Sequence, residues 1–185
     1  MEYPRGSRSF DVEYAALGVL MAGPMHGYQL REQLSAGLGS LWRIASSQLY
    51  NVLHRLEGKG WIDCHVEAQS GRPSRNVYRV TPNGERAFWS WATAPVHHLR
   101  DLRIELLAKI YFLRRLDPGR IPALIDAELD TLRKLYGRLE ARDSIESDDA
   151  DFGRLALSFR TWQIEQTVRW LERNRSELGE VREEE

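Results

Sequence analysis

One stretch of this chain carries side chains suited to reading nucleic acid. It runs Ser46-Ser-Gln-Leu-Tyr-Asn-Val-Leu-His-Arg-Leu-Glu-Gly-Lys59. Leu49, Val52, Leu53 and Leu56 stand at i, i+3, i+4 and i+7, the spacing of one buried stripe on a helix. At about 100° per residue, Ser47, Asn51 and His54 point the other way, flanked by Gln48, Tyr50 and Arg55. That outward face offers hydroxyl, amide, imidazole, phenol and guanidinium, with no acid before Glu57. Asn and Gln can bond adenine in bidentate fashion, and Arg can bond guanine. A serine-rich first turn leaves backbone N–H groups for a phosphate. The plain alternative is a solvated face, the ordinary condition of the outward side of a helix. Tyr50 is also open to a second reading, as a partly buried packing residue.

A second group follows. Ala68-Gln-Ser-Gly-Arg-Pro-Ser-Arg75 is turn-rich, with Gly71 and Pro73 shaping a tight excursion. Arg72 and Arg75 on it can reach phosphates or the minor groove. Alone, such a loop is a charged hairpin tip. Its setting gives it meaning.

The elements that must position these groups are legible as periodicity and punctuation. Val12–Met21 is apolar at helical spacing and stops at Gly23-Pro24. A short helix fits His26 to Leu34, ended by Gly37 and Gly39. The third helix spans Ser46–Gly58, with Ser46 or Ser47 as N-cap and Gly58-Lys-Gly60 as its end. Ile62, Cys64 and Val66 alternate with polar residues, and Asn76–Val80 gives a second strand signal. Thr81-Pro82 starts a fourth helix, with Thr as cap and Pro in the first turn. The rest reads as helix: Leu99–Leu116, Ile121–Arg142 and Phe152–Leu178, broken at Asp117-Pro118-Gly119 and at the acidic loop Ser144–Asp151. Three helices, then two strands around a basic loop, is the order of a winged helix-turn-helix. The expected fold is mainly α. An N-terminal winged helix-turn-helix with a small β-hairpin wing occupies 1–95. A C-terminal α-helical dimerisation domain occupies 96–185, with Thr93-Ala-Pro95 as the joint.

Composition bounds the function. The chain has 185 residues and a formal net charge of −1. That balance excludes a protein that coats nucleic acid by bulk charge. The charge is uneven, however. Residues 1–95 carry ten basic and eight acidic residues, and residues 96–185 carry sixteen and nineteen. Between Gly39 and Arg79, six basic residues face three acidic ones. No apolar run is long enough to span a membrane, Met1–Phe10 lacks the apolar core of a signal peptide, and the tail Glu183–Glu185 reads as a frayed end. The single cysteine, Cys64, forms no internal disulfide, which fits a reducing, cytoplasmic setting. Cys64-His65 and His97-His98 are the nearest approach to metal ligands, but strand alternation sends Cys64 and His65 to opposite faces, so no metal and no cofactor is expected. No Gly-rich phosphate loop, HExxH or nucleophile motif is present, and catalysis is not expected.

The residues resemble a family. His26-Gly-Tyr-Gln-Leu30, Ala45-Ser-Ser-Gln-Leu-Tyr-Asn-Val-Leu-His-Arg-Leu-Glu-Gly-Lys-Gly-Trp-Ile62 and Gly71-Arg-Pro-Ser-Arg-Asn-Val-Tyr-Arg-Val-Thr-Pro-Asn-Gly84 look like the PadR family of bacterial transcription regulators. The resemblance covers nearly all of residues 12–93. The second half is similar to the longer PadR branch with a virulence-activator-like helical domain, on Leu102-Arg-Ile-Glu-Leu-Leu-Ala108 and Trp170-Leu171. The resemblance implies a cytoplasmic homodimer on palindromic operator DNA, usually a repressor, with some members responding to phenolic acids or drugs. It places Gly27 and Tyr28 at the opening of helix two, against phosphate. It puts Ser46, Ser47, Gln48, Tyr50 and Asn51 at the groove-facing start of helix three, with Arg55 and Lys59 further along, and Arg72, Arg75 and Asn76 in the wing. The sequence departs at Asn76, where such wings commonly carry a basic residue.

The last helix carries two apolar stripes. Phe152, Leu155, Phe159, Trp162 and Trp170 lie near one direction, and Leu157, Ile164, Val168 and Leu171 near another. Two stripes suit a helix that packs on its own chain and on a second copy, or one buried in the middle of a small bundle. The expected dimer residues are Leu157, Ile164, Val168 and Leu171, with Leu129 and Leu132 of the preceding helix. Trp89, Trp91, Tyr111, Trp162 and Trp170 could line an apolar pocket between the halves for a small aromatic effector, or simply be core. A winged helix used only for protein contact is the competing function.

Overall fold

The computed structural model describes residues 12–39, 45–69, 72–142, 146 and 148–179. Met1–Phe10, Gly71, the tail Glu183–Glu185, much of the loop 143–147 and the side chains of Arg72 and Pro73 lie outside the described residues. The elements are α1 (Val12–Leu20), β1 (Met25–His26), α2 (Gly27–Leu38), α3 (Ser46–Gly58), β2 (Ile62–Gln69), β3 (Arg72–Val80), α4 (Pro82–Ala92), α5 (Leu99–Leu116), a 3-10 turn at Pro118–Arg120, α6 (Ile121–Glu140) and α7 (Ala150–Gly179). The chain divides into two compact units. The first is 1–92 with 107–112 from the middle of α5, and the second is 93–106 with 113–185.

In the first unit, Ala16, Leu17 and Leu20 of α1 meet the stripe Leu30, Leu34 and Leu38 of α2 and the stripe Leu49, Val52, Leu53 and Leu56 of α3, all buried. Removing such surface from water is the main stabilising term, at about 25 cal/mol per Å². Phe88 of α4 is fully buried and meets Phe112 edge-on, with ring centroids 5.8 Å apart. Helix α2 is a turn longer than the punctuation predicts, and Gly37 lies inside it. Leu38 extends the buried stripe by one turn, and that burial outweighs the helix penalty of glycine. A side chain at Gly37 would collide with the Tyr111 hydroxyl, so the glycine permits close approach.

The sheet is antiparallel with order β1-β3-β2. Met25 pairs with Tyr78, Ile62 with Val80 and Cys64 with Tyr78. β1 was not expected. It is two residues long, too short for periodicity to show, and it exists because β3 offers an edge. Strands β2 and β3 extend well beyond their expected ends, so most of the predicted loop 68–75 is hairpin, with a bulge between Glu67 and Gln69. Val66, inward by alternation, is 67% exposed, because the hairpin projects past the body it packs on. Helix α4 begins as expected. The Thr81 hydroxyl accepts from the Gly84 N–H at 3.1 Å and donates to the Gly60 carbonyl at 2.7 Å.

In the second unit, α6 and α7 form an antiparallel pair. Leu124, Ile125, Leu129, Leu132 and Leu139 of α6 and Ile164 and Leu171 of α7 are buried. Along the pair, Arg133 bonds Glu172 at 2.7 Å, Tyr136 donates to Glu165 at 3.0 Å, and Arg175 bonds Asp126. Glu128 is fully buried and accepts from the Val96 N–H at 2.7 Å, which ties the segment before α5 to α6.

Candidate nucleic-acid interface

The outward face of α3 is intact. Ser46, Ser47, Gln48, Asn51 and His54 are all exposed, while the opposite stripe is the core of the unit. The helix spans Ser46–Gly58 as expected, but its cap is not a serine. Ala45 is the N-cap, with no side-chain cap hydrogen bond, and the Ser46 hydroxyl instead accepts from Arg31 at 2.6 Å. The expectation of a serine cap is therefore corrected. The first-turn N–H groups are presented without a capping side chain, which suits an anionic oxygen.

A cleft of about 660 Å³ opens where α2 begins, beside α3 and β3. Tyr28, Tyr50, Arg75, Asn76 and Tyr78 line it. Tyr28 is 61% exposed and Tyr50 is 52% exposed, so both phenols face solvent. Tyr50 is both packed and exposed. Its ring edge packs where a Cβ on Gly27 would sit, 3.1 Å away, and its hydroxyl reaches the cleft. Gly27 itself is buried under that ring. The guanidinium of Arg31 lies 5.7 Å over the Tyr28 ring, which orients the phenol. His26 links the two walls. Its N–H donates to Gln29 Oε1 at 2.9 Å, and its Nδ1 lies 3.3 Å from the Asn76 carbonyl oxygen. Composition did not single out His26 or Arg31 for these roles, since each works through a partner distant in sequence.

Arg55 and Lys59, both expected to contact DNA, are paired with an acid of α1 in the free chain. Arg55 Nε bonds Glu13 Oε1 at 2.9 Å, and Lys59 Nζ bonds Glu13 Oε2. Lys59 also sits 4.6 Å over the Trp61 ring. Burial pushes the Glu13 carboxyl up, but the hydrogen bonds and charges of Lys59 and Arg55 outweigh it and hold it below the usual carboxylate value. A carboxyl lowered in the folded chain contributes stability that is full above its unfolded value and is lost as pH falls through the folded one. Wild-type protein should therefore lose thermal stability between about pH 5 and pH 3 more steeply than Glu13→Gln, followed by circular dichroism melts. Parallel curves would contradict the ion pairs. Glu13 had a signal in the sequence: with Ala16, Leu17 and Leu20 it stands at i, i+3, i+4 and i+7, an acid on the inward stripe.

Residues 16–90, which hold the opening of α2, the outward face of α3 and the wing, match the model of the transcriptional regulator PadR-like family. That segment is a PadR-like transcriptional-regulator domain. The chain is similar to the negative transcriptional regulator PadR of Bacillus subtilis, 25% identical over 170 residues, which span 87% of this chain and 93% of that protein. It is also similar to a Mycobacterium tuberculosis protein named as a probable transcriptional regulator, 26% identical over 125 residues, covering 67% of this chain and 57% of that one. Among solved structures, Bacillus subtilis PadR in complex with operator DNA aligns with a TM-score of 0.44 and 23% identity, covering 90% of this chain and 98% of that one. The same protein with p-coumaric acid aligns at 0.41 and 23%, covering 92% and 99%. The family model and both relatives are named as transcriptional regulators.

The remaining expected sites fall as follows. Trp91 stacks on Tyr14, with centroids 5.1 Å apart and planes 1° apart. Trp89 and Tyr111 join it in the aromatic cluster around Phe88 and Phe112. The buried Lys109 ammonium lies 5.3 Å over the Trp91 ring. Trp162 and Trp170 are exposed on α7. Of the expected dimer residues, Leu129, Leu132, Ile164 and Leu171 are buried inside the second unit, and Leu157 and Val168 are half-buried. They pack α6 on α7 within one subunit. The apolar stripe of α7 that stays exposed is the other one, where Phe152, Leu155, Phe159 and Trp162 are 55–66% exposed. Among the described residues, no three His, Cys, Asp or Glu side chains gather to hold a metal ion, and no helix is long and apolar enough to cross a membrane.

Proposed function

We propose that this chain is a PadR-family regulator that reads double-stranded operator DNA through the outward face of α3, as a homodimer on a palindromic site. The observation that carries the reading is a single surface where three elements meet: α2 opening at Gly27 and Tyr28, the flank of α3 at Tyr50, and the wing at Arg75 and Asn76. Ser46, Ser47, Gln48, Asn51 and His54 face the groove, while Gly27, Tyr28, Tyr50, Arg72, Arg75 and Asn76 serve phosphate. Phosphate contacts would position the helix and base contacts would specify the sequence. In the proposed division of labour, 1–95 is the reading domain and 96–185 the dimerisation domain, acting in the cytoplasm. The partner surface is the exposed stripe of α7, whose 3-4-3 spacing at Phe152, Leu155, Phe159 and Trp162 is that of a coiled-coil seam. Two-fold symmetry of the protein would then match that of the site, with half-sites about 34 Å apart.

Repression is the sign of regulation we propose, on the negative regulator that the chain resembles. Release by a small aromatic effector rests on the tryptophans, of which Trp162 and Trp170 are exposed and Trp89 and Trp91 partly so. Saturable tryptophan quenching by a phenolic compound, with parallel loss of DNA binding, is the expected result. No quenching across a broad panel of phenols would remove the effector.

The DNA reading is tested at the wing. Arg72→Ala with Arg75→Ala should weaken binding and reduce the slope of log K against log salt by about 0.9 for each phosphate no longer neutralised. If the winged helix served a protein partner instead, DNA affinity would be weak from the start and unmoved by both changes.

A further inference from the structure

We propose that Glu13 is a positioning residue that withholds the cations of the recognition helix from the DNA backbone. The proposal rests on the DNA-binding reading above and extends it to how that reading becomes selective. Helix α3 and its C-cap carry two cations, Arg55 and Lys59, and both end on one carboxylate. Each oxygen of Glu13 takes one of them. The Glu13 side chain is 7% exposed, whereas those of Arg55 and Lys59 are 54% and 43% exposed. The two cations thus sit at the surface on the flank of the reading face, with Arg55 one turn from Asn51. From there a long side chain could swing to a phosphate lining the groove.

Glu13 opposes that swing. A buried carboxylate that loses a partner is left with an uncompensated charge, which costs several kcal/mol. The cations therefore stay on Glu13, and α3 meets DNA with hydroxyl, amide and imidazole groups. Charge on phosphate is indifferent to sequence, whereas neutral donors and acceptors on base edges are not. Withholding the cations lowers binding to every duplex and leaves discrimination to the bases. This fits a chain whose net charge of −1 gives little bulk attraction.

A purely structural clamp between α1 and α3 would change stability and leave the salt dependence alone. The test is fluorescence anisotropy of the full chain on a nonspecific duplex between 50 and 200 mM salt. Glu13→Gln keeps the shape and releases both cations, so the slope of log K against log salt should steepen by up to about 1.8. Over that fourfold range the variant should lose roughly tenfold more affinity than wild type. Arg55→Gln, which leaves Lys59 on Glu13, should not change the wild-type slope, but should recover about 0.9 in the Glu13→Gln background. An unchanged slope in Glu13→Gln, or a wild-type slope reduced by about 0.9 in Arg55→Gln, overturns the proposal. If Glu13→Gln does not fold, Glu13→Asp, which draws the carboxylate back from both cations, should steepen the slope in the same direction, and an unchanged slope there overturns the proposal. Wild type that binds no duplex at all overturns the DNA reading and this inference together, an outcome distinct from binding with an unchanged slope.

Discussion

Trp162→Glu should leave the chain folded and dissolve the proposed dimer. Trp162 is 55% exposed and stacks on Phe159 with ring centroids 6.1 Å apart. It contributes to an apolar groove of about 1000 Å³ with Phe152, Leu155 and Phe159. An exposed apolar patch of this kind marks an interaction site more often than a solvated surface. A glutamate there faces water in the monomer and costs little. Across a two-fold seam it buries two like charges without partners. Operator affinity should then fall by about 10² to 10⁴, because the second half-site is no longer held at high effective concentration. Sedimentation at micromolar concentration should show a monomer with an unchanged circular dichroism spectrum. A variant that remains dimeric would move the interface off this stripe.

The second large effect belongs to the reading face. Asn51→Ala and Gln48→Ala should each lower operator affinity by roughly 1–3 kcal/mol, the worth of one good bidentate base contact. Binding to random duplex and the salt slope should not move, since neither side chain carries charge. Competition binding against single-base variants of the operator would show discrimination relaxing at one position for each substitution. Equal losses on specific and random DNA would mean that these side chains touch backbone only. His54 faces the same side of α3 and is expected to follow the same pattern.

Local periodicity made most of the fold legible. The stripe Leu49, Val52, Leu53 and Leu56 gave the phase of α3 without ambiguity, and all four are buried. Thr81-Pro82 marked the start of α4, because a hydroxyl cap and a fixed φ are local chemistry. What escaped depends on partners far along the chain. β1 is created by the edge of β3, fifty residues away. The helical course of α2 through Gly37 depends on what packs beside it, Tyr111, which no local rule supplies. Arg55 and Lys59 looked like free cations because the acid that holds them lies in α1. In α7 both stripes were visible, but which one the subunit keeps for itself was decided by the packing of α6. The exposed face of α3 was legible because its polar residues stand opposite a buried stripe, a condition the helix meets by itself.

Sequence-specific, two-fold recognition is tested most directly by selecting bound sequences from a random duplex library with the purified full chain. The expected product is an inverted repeat whose half-sites are centred about 10–10.5 base pairs apart, or a multiple of that spacing. An enriched sequence without two-fold symmetry would contradict the dimeric reading. No enrichment at all, with binding that tracks only salt, would contradict sequence-specific recognition by α3.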